Sequence, residues 1–305
     1  MERAHANGST IVLASDHDGE SQAPVPTSAI GEASAQTCPT CAANAKAVGP
    51  PAWIYAIGNV EPRFPRISVE KEFAQALARE KATDLTDRQA LHAALSKGEN
   101  RYLVRQLCWV MTISGLETYL LMPRDPADTA LLVDTLRPTP EPSDLDCVIG
   151  ARGPIASPEM CNGLMVPIVV FDKIYSFARD TLIKAIPRPE KVSAKEFEPK
   201  AAEVFHSLTQ MRENAGATDA DRAVNYLAVR YPRIYEAAAE AFGKNQSLSA
   251  IDVRPSTLSG TRKLVDVIFS FRHRETDVIE KQAARVDVND EFPFLAKPLS
   301  MYYDF

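Results

Sequence analysis

The stretch that most limits how this chain can fold is YLVRQLCWVMTISGLETYLLMP, residues 102–123. Two apolar runs flank Ser114 and Gly115, a pair that tolerates the tight backbone of a reversal, so the segment reads as a β-hairpin. Its neighbours decide what the hairpin can join. WIYAIGNV (53–60) is aromatic and β-branched and reads as a strand. VEKEFAQALARE and DRQALHAALSK follow with helical spacing, the first capped by Ser68 and the second by a Thr86/Gln89 capping box, with Gly98 placed as a helix stop. After the hairpin, Asp125 and Pro126 open another helix, RDPADTALLVDTL, and LDCVIG (145–150) closes the series as a strand. The succession β-α-β-β-α-β is that of a ferredoxin-like unit, here over residues 52–152.

The remainder, 153–305, reads as a helical segment followed by an antiparallel meander, an α+β arrangement packed with the first unit as one domain. GLMVPIVVF is a buried strand and DKIYSFARDTLIKAI a helix ended by Pro187. Ala201, Val204, Phe205, Leu208 and Met211 form one helical stripe. Thr218 starts a further helix and Pro232 another. SLSAIDVRP, KLVDVIFSFRHR and VIEKQAARVDV then alternate as strands, with Val265, Val267, Phe269 and Phe271 on one face.

Residues 1–36 are poor in aromatics and rich in Ser, Ala, Gly, Thr and Pro, a composition that cannot offset the entropy of ordering, so a disordered tail is expected. Residues 37–51 form an arm carrying Cys38 and Cys41. Thirty-four basic against 40 acidic residues give a net charge of −6, which disfavours a general nucleic-acid surface. No apolar run approaches the ~20 residues that span a bilayer. With no apolar leader near the start, and five cysteines making an odd set, a reducing cytoplasm is the expected setting.

The chemistry-bearing candidates are few. Cys38 and Cys41 have the two-residue spacer of a zinc knuckle, which supplies half of a tetrahedral site. Cys161, in the turn-like CNG, is the best third ligand, with Cys108, Cys147 and the histidines as remaining candidates. A redox pair at Cys38 and Cys41 would need a strand before it and a helix after it, and neither is expected there. Cys161 would serve as a nucleophile only beside a histidine such as His206 or His273. Arg63 and Arg66 could grip a carboxylate, and RPSTLSGTRK (254–263) could cradle an anion. The sequence contains no Gly-x-Ser-x-Gly, Walker, dinucleotide or His-Glu-x-x-His motif.

Several long stretches resemble the PatG-type C-terminal domain, a domain of unknown function, of cyanobactin maturation proteases. They include YAIGNVEPRFP, NRYLVRQLCWVMTISGLETYLLMPRDPAD, ARGPIASPEMCNGLMVPIVVFDKIYSF, NAGATDADRAVNYLAVRYP and LVDVIFSFRHRETDVIEKQAARVDVNDEFPFL. The resemblance implies a structural zinc held by Cys38, Cys41, Cys108 and Cys161, with Cys147 outside the set. It also implies a role in making ribosomally synthesised, modified peptides. In larger relatives a subtilisin-like protease precedes this domain and carries the triad, so proteolysis is not expected of this chain. The expected role is a non-catalytic accessory module that recruits a precursor peptide or a pathway enzyme, with self-association into a homo-oligomer also open. The alternative is a peptide-modifying enzyme that uses a metal or Cys161.

Overall fold

The computed structural model describes residues 52–79, 85–189, 192–211, 214–258 and 260–303. The tail and the cysteine arm, residues 1–36 and 37–51, lie outside the described residues. β1 (Ala52–Arg63) leads into α1 (Ile67–Arg79), α2 (Asp87–Leu95) and the short α3 (Arg101–Gln106). β2 (Cys108–Ile113) and β3 (Leu116–Pro123) form the expected hairpin, with Ser114 and Gly115 both at positive φ. α4 (Thr129–Asp134) and β4 (Asp144–Ile155) complete the β-α-β-β-α-β succession. The Thr86/Gln89 capping box is present at α2, and Asp125 accepts from Ala127 N at the turn before α4.

β5 (Pro167–Ala178) joins the same sheet from beyond residue 152. It lies parallel to β3 and antiparallel to β4, closing a barrel in the order β1-β2-β3-β5-β4. No strand of that sheet is left with a free edge, because closure pairs them all. This closure explains why DKIYSFA is strand where a helix was expected. Asp172 to Ala178 continue β5 against β4, and the helix shrinks to α5 (Arg179–Ala185).

Both faces of the barrel strands are covered, so their alternation separates two cores rather than core from solvent. Ile54, Ala56, Trp109, Met111, Val148 and Phe171 cluster with residues of α1 to α4. Tyr55, Ile57, Cys147 and Ile149 point the other way, into a cluster with α6 (Ala194–Thr209), α7 (Asp219–Arg230) and α8 (Arg233–Gly243). Fully burying a side chain such as Phe171 contributes roughly 1.5–3 kcal/mol.

The last layer is an antiparallel sheet in the order β6 (Gln246–Pro255), β7 (Leu264–His273), β8 (Ile279–Asp287), β9 (Phe294–Met301). Val265, Val267, Phe269 and Phe271 share the face against the helices, as their alternation predicts. On the opposite face Arg285 grips Asp266 through two bonds, Nε to Oδ1 at 2.7 Å and Nη2 to Oδ2 at 3.1 Å.

Polar ties lock the helices onto the barrel. Tyr55 N donates to Gly216 O at 2.9 Å, while Asn225 Nδ2 donates to Tyr55 O at 2.8 Å. Asn225 also exchanges amide bonds with Asn214, whose Oδ1 accepts from Gly216 N. Arg222, nearly sealed from solvent, donates to Val288 O at 2.8 Å and to the carbonyls of Asp290 and Glu291. No helix among the described residues is long and apolar enough to cross a membrane.

Candidate functional site around Cys108 and Cys161

Cys108 opens β2 opposite Arg63, the last residue of β1. Cys161 sits in the turn between β4 and β5, where Asn162 and Gly163 take positive φ and Gly163 N bonds Pro158 O at 2.8 Å. The two sulfurs are joined as a disulfide, with Cα atoms 5.9 Å apart across 53 residues of sequence. Ala156 N to Val166 O closes the neck of this loop. Cys108, Val110, Leu120, Ala156 and Cys161 pack as a third small core with Leu164, Val166 and Ile168. The loop is thus a cover for the outer face of β2 and β3, fastened by the sulfur pair.

Clefts open on both sides of the fastener. One, of about 640 Å³, is lined by Arg63, Phe64, Glu70, Glu117, Cys161 and Asn162. The other, of about 400 Å³, is more apolar and includes Cys108, Trp109, Met122 and Met160.

Of the four cysteines that the resemblance implied as zinc ligands, Cys108 and Cys161 are joined to each other as a disulfide. Cys38 and Cys41 lie outside the described residues. Cys147 stands apart on β4, wholly buried toward the helices, its thiol pushed up to about 12 mainly by burial. Among the described residues no group of three or more His, Cys, Asp or Glu is arranged to hold a metal. His206 lines a separate cavity with Ser114, Arg179 and Gln210, and His273 Nδ1 accepts from Glu275 N and Thr276 N. Neither histidine lines the clefts beside Cys108 and Cys161. Arg63 finds its carboxylate inside the chain, on Glu117. Arg66 is exposed, and its carbonyl receives the first N–H groups of α1. The 254–263 loop spends Arg262 on Asp287 at 2.6 Å and Lys263 on Asp219 at 3.5 Å.

Two acidic positions with raised carboxyls, one buried and one half-buried, escaped the sequence reading. Asp146 accepts from Val60 N and Ser176 Oγ, and burial raises its carboxyl to about 6. Glu291 is raised to about 7 by burial and by the facing Asp172 carboxyl. Their partners are distant in sequence, Ser176 and Val60 for Asp146 and Asp172 for Glu291, so neither acidic letter signals them.

Residues 191–302 match the family described as PatG C-terminal. The C-terminal part of the chain is thus similar to the PatG C-terminal family. A solved structure titled PatG Domain of Unknown Function superimposes with a TM-score of 0.67 at 19% identity, covering 82% of this chain and 98% of that one. At that identity the match speaks for the fold. No curated protein matches the chain. The solved PatG domain covers far more of the chain than residues 191–302, so the shared fold takes in the barrel as well as the C-terminal sheet.

Proposed function

We propose that this PatG-type chain is a non-catalytic accessory module in the biosynthesis of cyanobactin-like, ribosomally made peptides. It recruits a precursor peptide or a maturation enzyme such as the pathway's subtilisin-like protease, and works in the cytoplasm. The observation that carries this reading is the Cys108–Cys161 pairing. The cysteine best suited to act as a nucleophile is instead a fastener, nearly buried and bonded to another cysteine. Bonded to the other sulfur, or to a metal once the pair is reduced, Cys161 is not free to attack, while the clefts beside it are open to a bound chain.

A structural zinc belongs to the same reading. Cys108 and Cys161 supply two soft sulfur donors at one point, which fits zinc once the pair is reduced. Cys38 and Cys41 would supply the other two. Four thiolates leave no open position for water, so the metal would hold the arm to the barrel and take no part in chemistry.

Closure by β5 leaves the ferredoxin-like sheet no open edge on which a peptide could dock. The remaining sheet edges are β6 and β9, which can accept an extended peptide through main-chain bonds. Titration calorimetry of the purified chain with the precursor encoded beside it tests the reading. Saturable binding to the precursor or to the partner protease is expected, and heat-silent mixing with both would overturn it.

A further inference from the structure

Between α3 and α4 a second stretch of open space, about 320 Å³, meets the 400 Å³ cleft beside Cys108, and the two share Val104, Arg105, Pro126 and Thr129. They form one groove that runs from the sulfur pair across the barrel's helical side. Each part falls in the roughly 300–1,000 Å³ range of ligand sites. The floor is apolar and firmly packed: Leu95, Val104, Trp109, Leu121 and Leu132 are all buried. Along the rim, Met122 and Met160 are exposed, flexible side chains suited to varied apolar partners.

Charge gives the groove its preference. Arg101 and Arg105 stand one helical turn apart on α3, both exposed, and both line the groove. Neither makes an ion pair with another described residue, whereas Arg63, Arg124, Arg179, Arg233 and Arg285 each do. Asp134 is the one carboxylate among the lining residues, at the end shared with Leu95 and Ser96. Two cations over an apolar floor recognise a segment that offers apolar side chains to the floor and carboxylates to the rim.

We infer that this groove binds an acidic, apolar peptide segment, presented in trans by the precursor peptide. The inference rests on the recruitment reading and gives it a place. The test is fluorescence anisotropy with a short labelled peptide of leucines and glutamates, against the same peptide carrying lysines. The glutamate peptide is expected to bind, and R101E/R105E to weaken it about tenfold, the scale of two exposed ion pairs. Ala130→Trp, which fills the exposed wall without touching charge, is expected to weaken it as well. Circular dichroism melts confirm that both variants fold. Failure of the wild-type chain to bind the glutamate peptide, or undiminished binding by R101E/R105E, would overturn the groove. A precursor complex that survives R101E/R105E also defeats the groove while leaving recruitment intact. A wild-type chain that binds neither precursor nor protease defeats recruitment itself.

Discussion

The carboxyls of Asp172 on β5 and Glu291 in the loop after β8 meet where the barrel joins the C-terminal sheet. Asp172 Oδ2 and Glu291 Oε1 are both buried and receive no donor from another described residue. Burial and the facing Asp172 carboxyl raise the Glu291 carboxyl to about 7. Arg124 sits on this pair, 2.7 Å from Asp172 and 3.9 Å from Glu291, while Arg222 faces it from α7.

Glu291 and Asp146 make stability fall as pH rises toward neutrality. Glu291 moves from an ordinary 4.5 to about 7 on folding, and Asp146 from 3.8 to about 6. Between those values the folded chain holds protons that the unfolded chain has released, so raising the pH favours unfolding across roughly pH 4 to 7 and is neutral above it. Thermal melts at pH 5.5 and 8 are expected to show the higher melting temperature at pH 5.5, and Glu291→Gln is expected to shrink the difference. Identical melting temperatures for the wild-type chain would contradict the raised carboxyls of Glu291 and Asp146.

Reduction of the sulfur pair is expected to loosen the 156–166 cover. A cross-link closing a loop of this length stabilises by roughly 2–4 kcal/mol. Cys161→Ala should lower the melting temperature and speed protease cleavage between Ala156 and Val166 relative to the unmutated chain. Unchanged cleavage would show that packing of Val110, Leu120 and Ile168 holds the cover without the sulfurs.

Gly216→Ala tests the seam between α7 and β1. Gly216 has φ +71, and a Cβ there would meet Ala56 Cα at 2.5 Å and Tyr55 O at 2.5 Å. Backbone cannot move aside as a side-chain tip can, so a loss of more than about 3 kcal/mol is expected in urea unfolding.

Arg222→Met should cost about 3 kcal/mol, because it strands the carbonyls of Val288, Asp290 and Glu291 without a donor. Hydrogen exchange should quicken first in residues 288–291. Uniform exchange across β7 and β8 instead would mean that the loop does not depend on this side chain.

Much of this fold is written in local signals. The Ser114-Gly115 reversal, the Thr86/Gln89 box, the Thr218 cap and the alternation of Val265 to Phe271 all reappear in the structure. Signals settled by distant partners were harder to read. DKIYSFA carries a helix-compatible pattern, and only pairing with β4 makes it a strand. β9 passed unnoticed because Pro298 and exposed Phe294, Ala296 and Met301 give an edge strand no regular alternation. At the site, the sequence singled out Cys108 and Cys161, but not that the sulfurs bond each other. The Arg101 and Arg105 rim was equally hidden, since a solvated helix face and a binding rim have the same letters until α4 is set beside them.

The most direct test of recruitment without catalysis is native mass spectrometry of the chain incubated with its encoded precursor peptide. The account predicts a complex whose released peptide has its original mass, together with one zinc per chain when the cysteines are kept reduced. A peptide released with an altered mass would contradict it and make this chain an enzyme.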